Sequence, residues 1–217
     1  MHLQQVSLVT RDLARCRSFY GDKLGFAINQ ASASEICFQT GCSKLHFRED
    51  KNSNPRYHFA FSVANNQLQN ALTWIGEKAT ILPYAKDSTI ADFINWNAKA
   101  FYFRDHDQNI LECITHFDKN SLQDGPFTKD GFERLVEIGI PVDDVETACA
   151  DFYRQYNIPY FSKGPHLKDF AVMGDDNGML IITKTGRGWL PTQEPAGKCP
   201  LKIILNAGKR EILLELN

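Results

Sequence analysis

The stretch QVSLVT at Gln5–Thr10 sets the pattern on which the rest of the chain is built. Apolar side chains alternate there with polar or small ones, which is the period of a strand with one buried face. The following segment places Leu13, Cys16 and Phe19 at helical spacing, and Gly25 suits the end of a helix. The stretch therefore predicts a strand followed by an amphipathic helix.

The same strand–helix design occurs twice more. HFAFSV at His58–Val63 is a second alternating strand, and Glu137–Asp144 begins a third copy. Each copy closes with a further β-segment, and these segments are Lys44–Arg48, Asn109–Ile114 and Gly178–Thr183. Self-similarity of this kind predicts βαβββ units of roughly 50–60 residues. The remaining Leu201–Asn217 is long enough for a fragment of a fourth unit.

These units predict an α+β fold. We expect tandem βαβββ modules that form a curved, open, mixed β-sheet cup with the helices outside, followed by a degenerate third module. The predicted division is a paired-module domain at 1–117, a linker at 118–130 and a degenerate half-domain at 131–217. In the third unit Glu137 takes the opening position, but Ile181 and Ile182 stand where the closing strand would carry a ligand. We therefore expect the third unit to pack against or lengthen the first sheet and to hold no metal.

Composition excludes several classes of protein. The chain has 217 residues, 43% of them hydrophobic and 23% charged, which is ordinary for a folded domain. Its formal net charge of −2 argues against a nucleic-acid partner. Apolar runs fall short of the roughly 18 residues of a membrane span. The amino terminus lacks a signal-peptide pattern and the six cysteines form no C-x-x-C pair, so we expect a cytoplasmic protein.

Polar side chains recur at equivalent positions of the first two units. Superposing the units aligns Gln5 with His58 and His46 with Glu112, all opposite the strand face that the helices must cover. If the two units close into one curved sheet, these four side chains converge on its concave side. Such a set suits Zn, Ni, Mn or Fe(II). Taken singly, each residue fits a solvated strand face better than a ligand position, and it is the coincidence of all four that favours a metal site or functional pocket.

These motifs resemble the vicinal oxygen chelate superfamily, which includes glyoxalase I, extradiol ring-cleaving dioxygenases and fosfomycin and bleomycin resistance proteins. The motifs that carry the resemblance are Gln5–Leu13 with Phe19–Phe26, then His58–Val63 and Asp105–Glu112. The resemblance implies paired βαβββ modules in an eight-stranded open cup with a metal on its floor. It also implies that the metal ligands are Gln5, His46, His58 and Glu112.

The resemblance leaves two kinds of function open. The first is a divalent-metal-dependent enzyme with glyoxalase-like or extradiol-dioxygenase-like chemistry, that is, a lyase, isomerase or dioxygenase acting on a small oxygen-bearing substrate. The second is a metal-free small-molecule-binding protein of the bleomycin-resistance type. The second predicts a cup lined by aromatic residues and a direct contact between His58 and Glu112. The family also often pairs modules between chains, which makes a homodimer an expectation of either function.

Overall fold

Two open, curved β-sheets carry the fold, and each is built from more than one repeat unit. The computed structural model describes residues 1–216 of the chain. The strands are β1 (His2–Thr10), β2 (Ala27–Ala31), β3 (Glu35–Thr40), β4 (Ser43–Glu49), β5 (His58–Val63), β6 (Ile81–Leu82), β7 (Ile90–Phe93), β8 (Ala98–Arg104), β9 (Ile110–His116), β10 (Phe132–Val142), β11 (Phe170–Asp175), β12 (Gly178–Lys184), β13 (Gly188–Trp189), β14 (Glu194–Pro195), β15 (Leu201–Ala207) and β16 (Arg210–Leu216). The helices are α1 (Leu13–Cys16), which continues as a π-helical segment at Arg17–Lys23, α2 (Leu68–Gly76) and α3 (Val145–Tyr156). The predicted α+β class is confirmed.

The first sheet joins unit one to the C-terminal hairpin. Its six strands run in the order β16-β15-β1-β4-β3-β2. The alternation of β1 decides which face is inside: Val6 is fully buried and lies in register with Leu45 of β4 on one side and Ile203 of β15 on the other. The predicted fourth-unit fragment is therefore a two-stranded extension of the sheet of unit one.

The second sheet joins unit two to unit three. Its strands run in the order β11-β12-β10-β5-β9-β8-β6, and β7 also pairs with β8. The two units meet along β5 and β10, which are antiparallel with Ile138 opposite Phe59. The expected pairing of units one and two in a single sheet is thus replaced by a pairing of units two and three. Alternation along a strand specifies which face is buried, but it does not specify which strand lies along each edge.

Caps and apolar stripes place the helices on one face of the sheets. The Asp144 side chain accepts a hydrogen bond of 2.7 Å from the Thr147 amide at the start of α3. Cys16, Ile75 and Cys149, one from each helical segment, are fully buried in a core shared with the inner faces of both sheets. The opposite face of the eight-stranded sheet carries a second, smaller apolar cluster. This second face is the concave side of the sheet, and the candidate metal centre lies on it.

The predicted linker connects two strands of one sheet. Residues 118–130 lie between β9 and β10, which both flank β5. Phe127 anchors this connection, because its ring is buried and lies 5.3 Å from Phe132 and 5.5 Å from Trp74. The domain boundaries at 117 and 131 stay a prediction. Among residues 1–216, no helix has the length and apolar character needed to cross a membrane.

Candidate metal centre

Three adjacent strands bring a histidine and two glutamates to one place on the concave face. Ala60 of β5 lies in register with Glu112 of β9 on one side and with Glu137 of β10 on the other. His58 precedes Ala60 by two residues and shares its face, because strand side chains alternate. The strand order β9-β5-β10 therefore directs His58, Glu112 and Glu137 to a common point.

The three side chains are close enough to share one cation. One possible ligand atom from each lies within 4.8 Å of the others. The Nε2 atom of His58 is 3.6 Å from the Oε2 atom of Glu112. On the other side of the ring, Nδ1 lies 3.1 Å from the Ile110 carbonyl oxygen. A carbonyl only accepts, so Nδ1 carries the proton and Nε2 is left with its lone pair directed at the glutamates.

Burial shifts the pKa values of all three side chains away from their ordinary values. His58 is 6% exposed, and Glu112 and Glu137 are each 2% exposed. Burial lowers the pKa of His58 to about 4 and raises the pKa of Glu137 to about 8. Burial, and then the neighbouring Glu137 charge, raise the pKa of Glu112 well above its usual range. The Oε1 atom of Glu137 is buried without a hydrogen-bond partner.

An apolar cavity opens above the three side chains. Its volume is about 540 Å³, within the range of about 300–1,000 Å³ typical of small-molecule sites. Its apolar walls include five aromatic side chains, which are Phe93, Trp96, Tyr102, Phe170 and Trp189. The Trp189 ring centroid is 5.0 Å from that of His58, so the indole forms a cover over the imidazole.

A short hairpin holds Trp189 in this position. Strands β13 and β14 pair with each other, with Trp189 opposite Glu194. The Arg104 guanidinium at the end of β8 forms an ion pair with Glu194, including a hydrogen bond of 3.1 Å from Nη1. The hairpin is thus tied to the same sheet that carries the metal-ligand candidates.

Gln5 and His46 lie elsewhere, so the expected convergence of four ligands is corrected. Both are on the six-stranded sheet and border a separate polar groove. Gln5 donates a hydrogen bond of 3.0 Å from Nε2 to Ser7 Oγ, and His46 Nε2 is 3.4 Å from Glu35 Oε2. The expectation rested on units one and two sharing a sheet, whereas the structure brings His58 and Glu112 together with unit three.

Glu137 is the residue that sequence reasoning noticed and then discounted. The alignment of the units places it opposite Gln5 and His58, although β10 itself begins at Phe132. The apolar Ile181 in the closing strand argued against a metal ligand at that position. Ile181 lies in register with Gly139 and lines the cavity as its apolar fourth side. One imidazole and two carboxylates remain as donors.

Comparisons with known proteins agree with this architecture. A family model described as "Bleomycin resistance protein-like N-terminal" matches residues 3–41. The metallothiol transferase FosB of Staphylococcus haemolyticus is 28% identical over 128 residues, covering 56% of this chain and 86% of that protein. FosB of Staphylococcus epidermidis is 27% identical over the same length and coverage.

One solved structure covers nearly the whole chain. A protein from Bacillus subtilis that carries a provisional dioxygenase assignment superposes with a TM-score of 0.62 at 12% identity, covering 91% of this chain and 67% of that one. At this identity the likeness concerns the fold, whereas the FosB proteins add similarity of sequence over 128 residues. The repeated βαβββ units, the open sheets and these similarities together show that the chain resembles the glyoxalase, bleomycin resistance and dioxygenase superfamily, also called the vicinal oxygen chelate superfamily, in fold and in part of its sequence.

Proposed function

We propose that this protein is a divalent-metal-dependent enzyme that holds its ion with His58, Glu112 and Glu137. Its substrate would be a small oxygen-bearing molecule bound in the cavity above these residues. The observation that carries the proposal is that two buried carboxylates face each other and one imidazole with no basic side chain among them.

The first argument is energetic. Glu112 lies 3.6 Å from His58 Nε2, and neither Glu112 nor Glu137 forms an ion pair with a lysine or arginine among residues 1–216. An unpaired buried carboxylate is costly, so it either takes up a proton or binds a cation. His58 does not supply the charge, because burial favours its neutral form. A divalent ion would neutralise both carboxylates at once.

The second argument is geometric. Ligand atoms that lie about 2.0–2.2 Å from a common ion are separated from each other by roughly 3–3.5 Å. The 3.6 Å between His58 Nε2 and Glu112 Oε2 is close to that spacing. The unpartnered Oε1 atom of Glu137 is a third donor within reach. An imidazole with two carboxylates suits Zn, Ni, Mn or Fe(II), and three protein ligands leave coordination positions for substrate.

The chemistry would be shared between the ion and the chain. When bound, a divalent ion supplies Lewis acidity that polarises a substrate oxygen. Glu137 has two carboxylate oxygens, so one can bind while the other exchanges a proton with a substrate carbon, as lyase and isomerase reactions require. The Ile110 carbonyl fixes the His58 tautomer, and Trp189 keeps water away from the ring. Dioxygenase chemistry uses the same binding groups without the proton transfer from Glu137.

We propose a cytoplasmic protein with a small-molecule substrate, no nucleic-acid partner and a homodimeric assembly. The relatives support the metal in particular, because the FosB proteins are named metallothiol transferases.

A metal-free small-molecule binder is the second candidate. The aromatic cavity wall and the 3.6 Å approach of His58 to Glu112 both favour it. In that case a proton shared between the two glutamates, rather than a cation, would allow both to stay buried. The two candidates differ in whether the purified protein takes up one ion per chain.

Metal uptake after removal of all ions tests the proposal. Chelator-treated protein is dialysed against Mn²⁺ or Zn²⁺, and bound metal is measured by mass spectrometry for the wild type and for His58→Ala and Glu137→Gln. We expect one ion per chain in the wild type and a loss of affinity of at least about tenfold in both variants.

Gln5→Ala and His46→Ala are the matched controls, because these residues lie on the other sheet. Both controls should bind metal as the wild type does, and circular dichroism checks that every variant is folded. Absence of metal in the wild type, or an equal loss in the controls, would overturn the proposal and favour the metal-free binder.

A further inference from the structure

Arg187 places one positively charged side chain at the mouth of the cavity. It is the one lysine or arginine among the residues that line this cavity within the described chain. The other charged residue at the rim, Asp92, is 3.4 Å from Lys99 Nζ and more than half exposed. The positive charge of Arg187 is thus set against walls that are otherwise mostly apolar.

The guanidinium of Arg187 is held in a defined orientation. Its central carbon lies 4.5 Å from the centroid of the Phe170 ring, which is cation–π distance. Its Nε atom lies 3.3 Å from Asp169 Oδ2. Backbone hydrogen bonds from Arg187 to Lys184 (3.0 Å) and from Ala196 to Arg187 (2.8 Å) fix the chain on either side.

This arrangement leaves the two terminal nitrogens of the guanidinium free to bind a ligand. Asp169 meets the Nε edge, and within residues 1–216 the two terminal nitrogens of Arg187 donate no hydrogen bond. Two parallel N–H groups in one plane match the two oxygens of a carboxylate. Asp169 does not cancel this capacity, because it is 52% exposed and a solvated pair of this kind is weak.

The cavity between Arg187 and the metal centre suits a flat, apolar body. Trp189 follows Arg187 by two residues and covers His58, while Phe93 and Trp96 line the same cavity. A planar molecule between these rings would present one end to the floor and the other to the guanidinium. An uncharged molecule of the same shape would form no ion pair with the guanidinium.

We propose that the substrate class of this site is planar apolar carboxylates, with the carboxylate bound by Arg187 at the mouth and the apolar body between the aromatic walls. This assignment rests on the proposed function for the chemistry at the floor. It concerns recognition at the opposite end of the cavity, and Arg187 acts there as a specificity-determining residue.

A pair of probes that differ in charge but hardly in shape tests the assignment. Binding of 2-naphthoate and 2-naphthamide is measured by isothermal titration calorimetry, both with metal-free protein and after saturation with Mn²⁺. We expect the wild type to bind the acid at least about tenfold more tightly than the amide, which corresponds to about 1.4 kcal/mol. In Arg187→Gln the two probes should bind within about twofold of each other.

Two further variants make the outcome specific. Arg187→Lys keeps the charge but loses the planar fork, so it should show an intermediate preference for the acid. Arg210→Gln removes an exposed arginine of β16 and should leave the preference unchanged. Equal affinity of the wild type for both probes, a preference that persists in Arg187→Gln, or no binding of either probe would overturn the assignment.

Metal binding separates this assignment from the proposed function. Arg187→Gln should still take up Mn²⁺ as the wild type does, because Arg187 is not among the three clustered donors. Loss of the acid preference with metal uptake intact would support Arg187 as the recognition residue. If the wild type prefers the acid but binds no metal, the recognition element stands and the proposed enzyme activity falls.

Discussion

Trp189 occupies the space that a side chain at residue 139 would fill. A β-carbon on Gly139 would lie 2.7 Å from Cη2 of Trp189, and 3.2 Å from the His58 backbone oxygen. Glycine at this position of β10 therefore lets the indole approach the sheet closely enough to cover His58. Trp189 of the β13–β14 hairpin thus packs closely against β10, the strand that carries Glu137.

Gly139→Ala should displace this cover. A methyl group forced into the contact is expected to lower the free energy of unfolding by about 1–3 kcal/mol and to move Trp189 toward solvent. Denaturant unfolding measures the first effect, and a red shift of tryptophan emission measures the second. Gly197→Ala is the control, because no atom lies within 4 Å of a β-carbon there. An unchanged emission spectrum in Gly139→Ala would contradict the close fit.

The stability of the metal-free protein should fall as the pH rises from 6.5 to about 8. Burial raises the pKa of Glu137 from 4.5 to about 8, so above its ordinary pKa the unfolded chain has lost a proton that the folded chain retains. The stability gained from that proton is complete below pH 4.5 and disappears as the pH rises through 8. Each such group contributes a slope of at most about 1.4 kcal/mol per pH unit. Glu112 acts in the same direction.

Histidine titration sets the best window for this measurement. Burial lowers the pKa of His58 from 6.5 to about 4, and His116 shows the same change, so both make stability fall as the pH drops below 6.5. Between pH 6.5 and 8 the glutamates dominate. Thermal unfolding of chelator-treated protein should show the decline there, and the double variant Glu112→Gln with Glu137→Gln should abolish it. A wild-type slope in the double variant would show that other groups cause the decline.

Tyr20→Phe should loosen the attachment of unit one to unit two. The Tyr20 hydroxyl donates a hydrogen bond of 2.6 Å to Asp105 in the turn before β9, and both side chains are buried. Removing the hydroxyl leaves a buried carboxylate with one donor fewer, which costs about 1.5–3 kcal/mol. Urea unfolding measures the loss, and Tyr153→Phe, a change at an exposed tyrosine of α3, is the control. Equal stabilities of the two variants would indicate that the Tyr20 bond contributes little.

Much of the fold could be read directly from the order of residues. The alternation at Gln5–Thr10 and His58–Val63 assigns one side of each strand to the core, and the structure buries Val6, Phe59 and Phe61 as that pattern requires. The same alternation placed His58 and Glu112 on the concave face. These properties depend on the two-residue period of a strand and on hydrophobic burial, both of which are local to each segment.

The choice of partner strands required the tertiary structure. The edges of β1 and β5 offer similar backbone hydrogen-bonding groups, so local sequence does not state that β5 pairs with β10 while β1 pairs with β15. That choice brings Glu137 beside Glu112 and leaves Gln5 and His46 on a different sheet. The sequence by itself determined the repeated units, their buried faces and two members of the candidate site. Only the packing of distant segments decided the third member, because strand pairing is settled by the combined burial of all units.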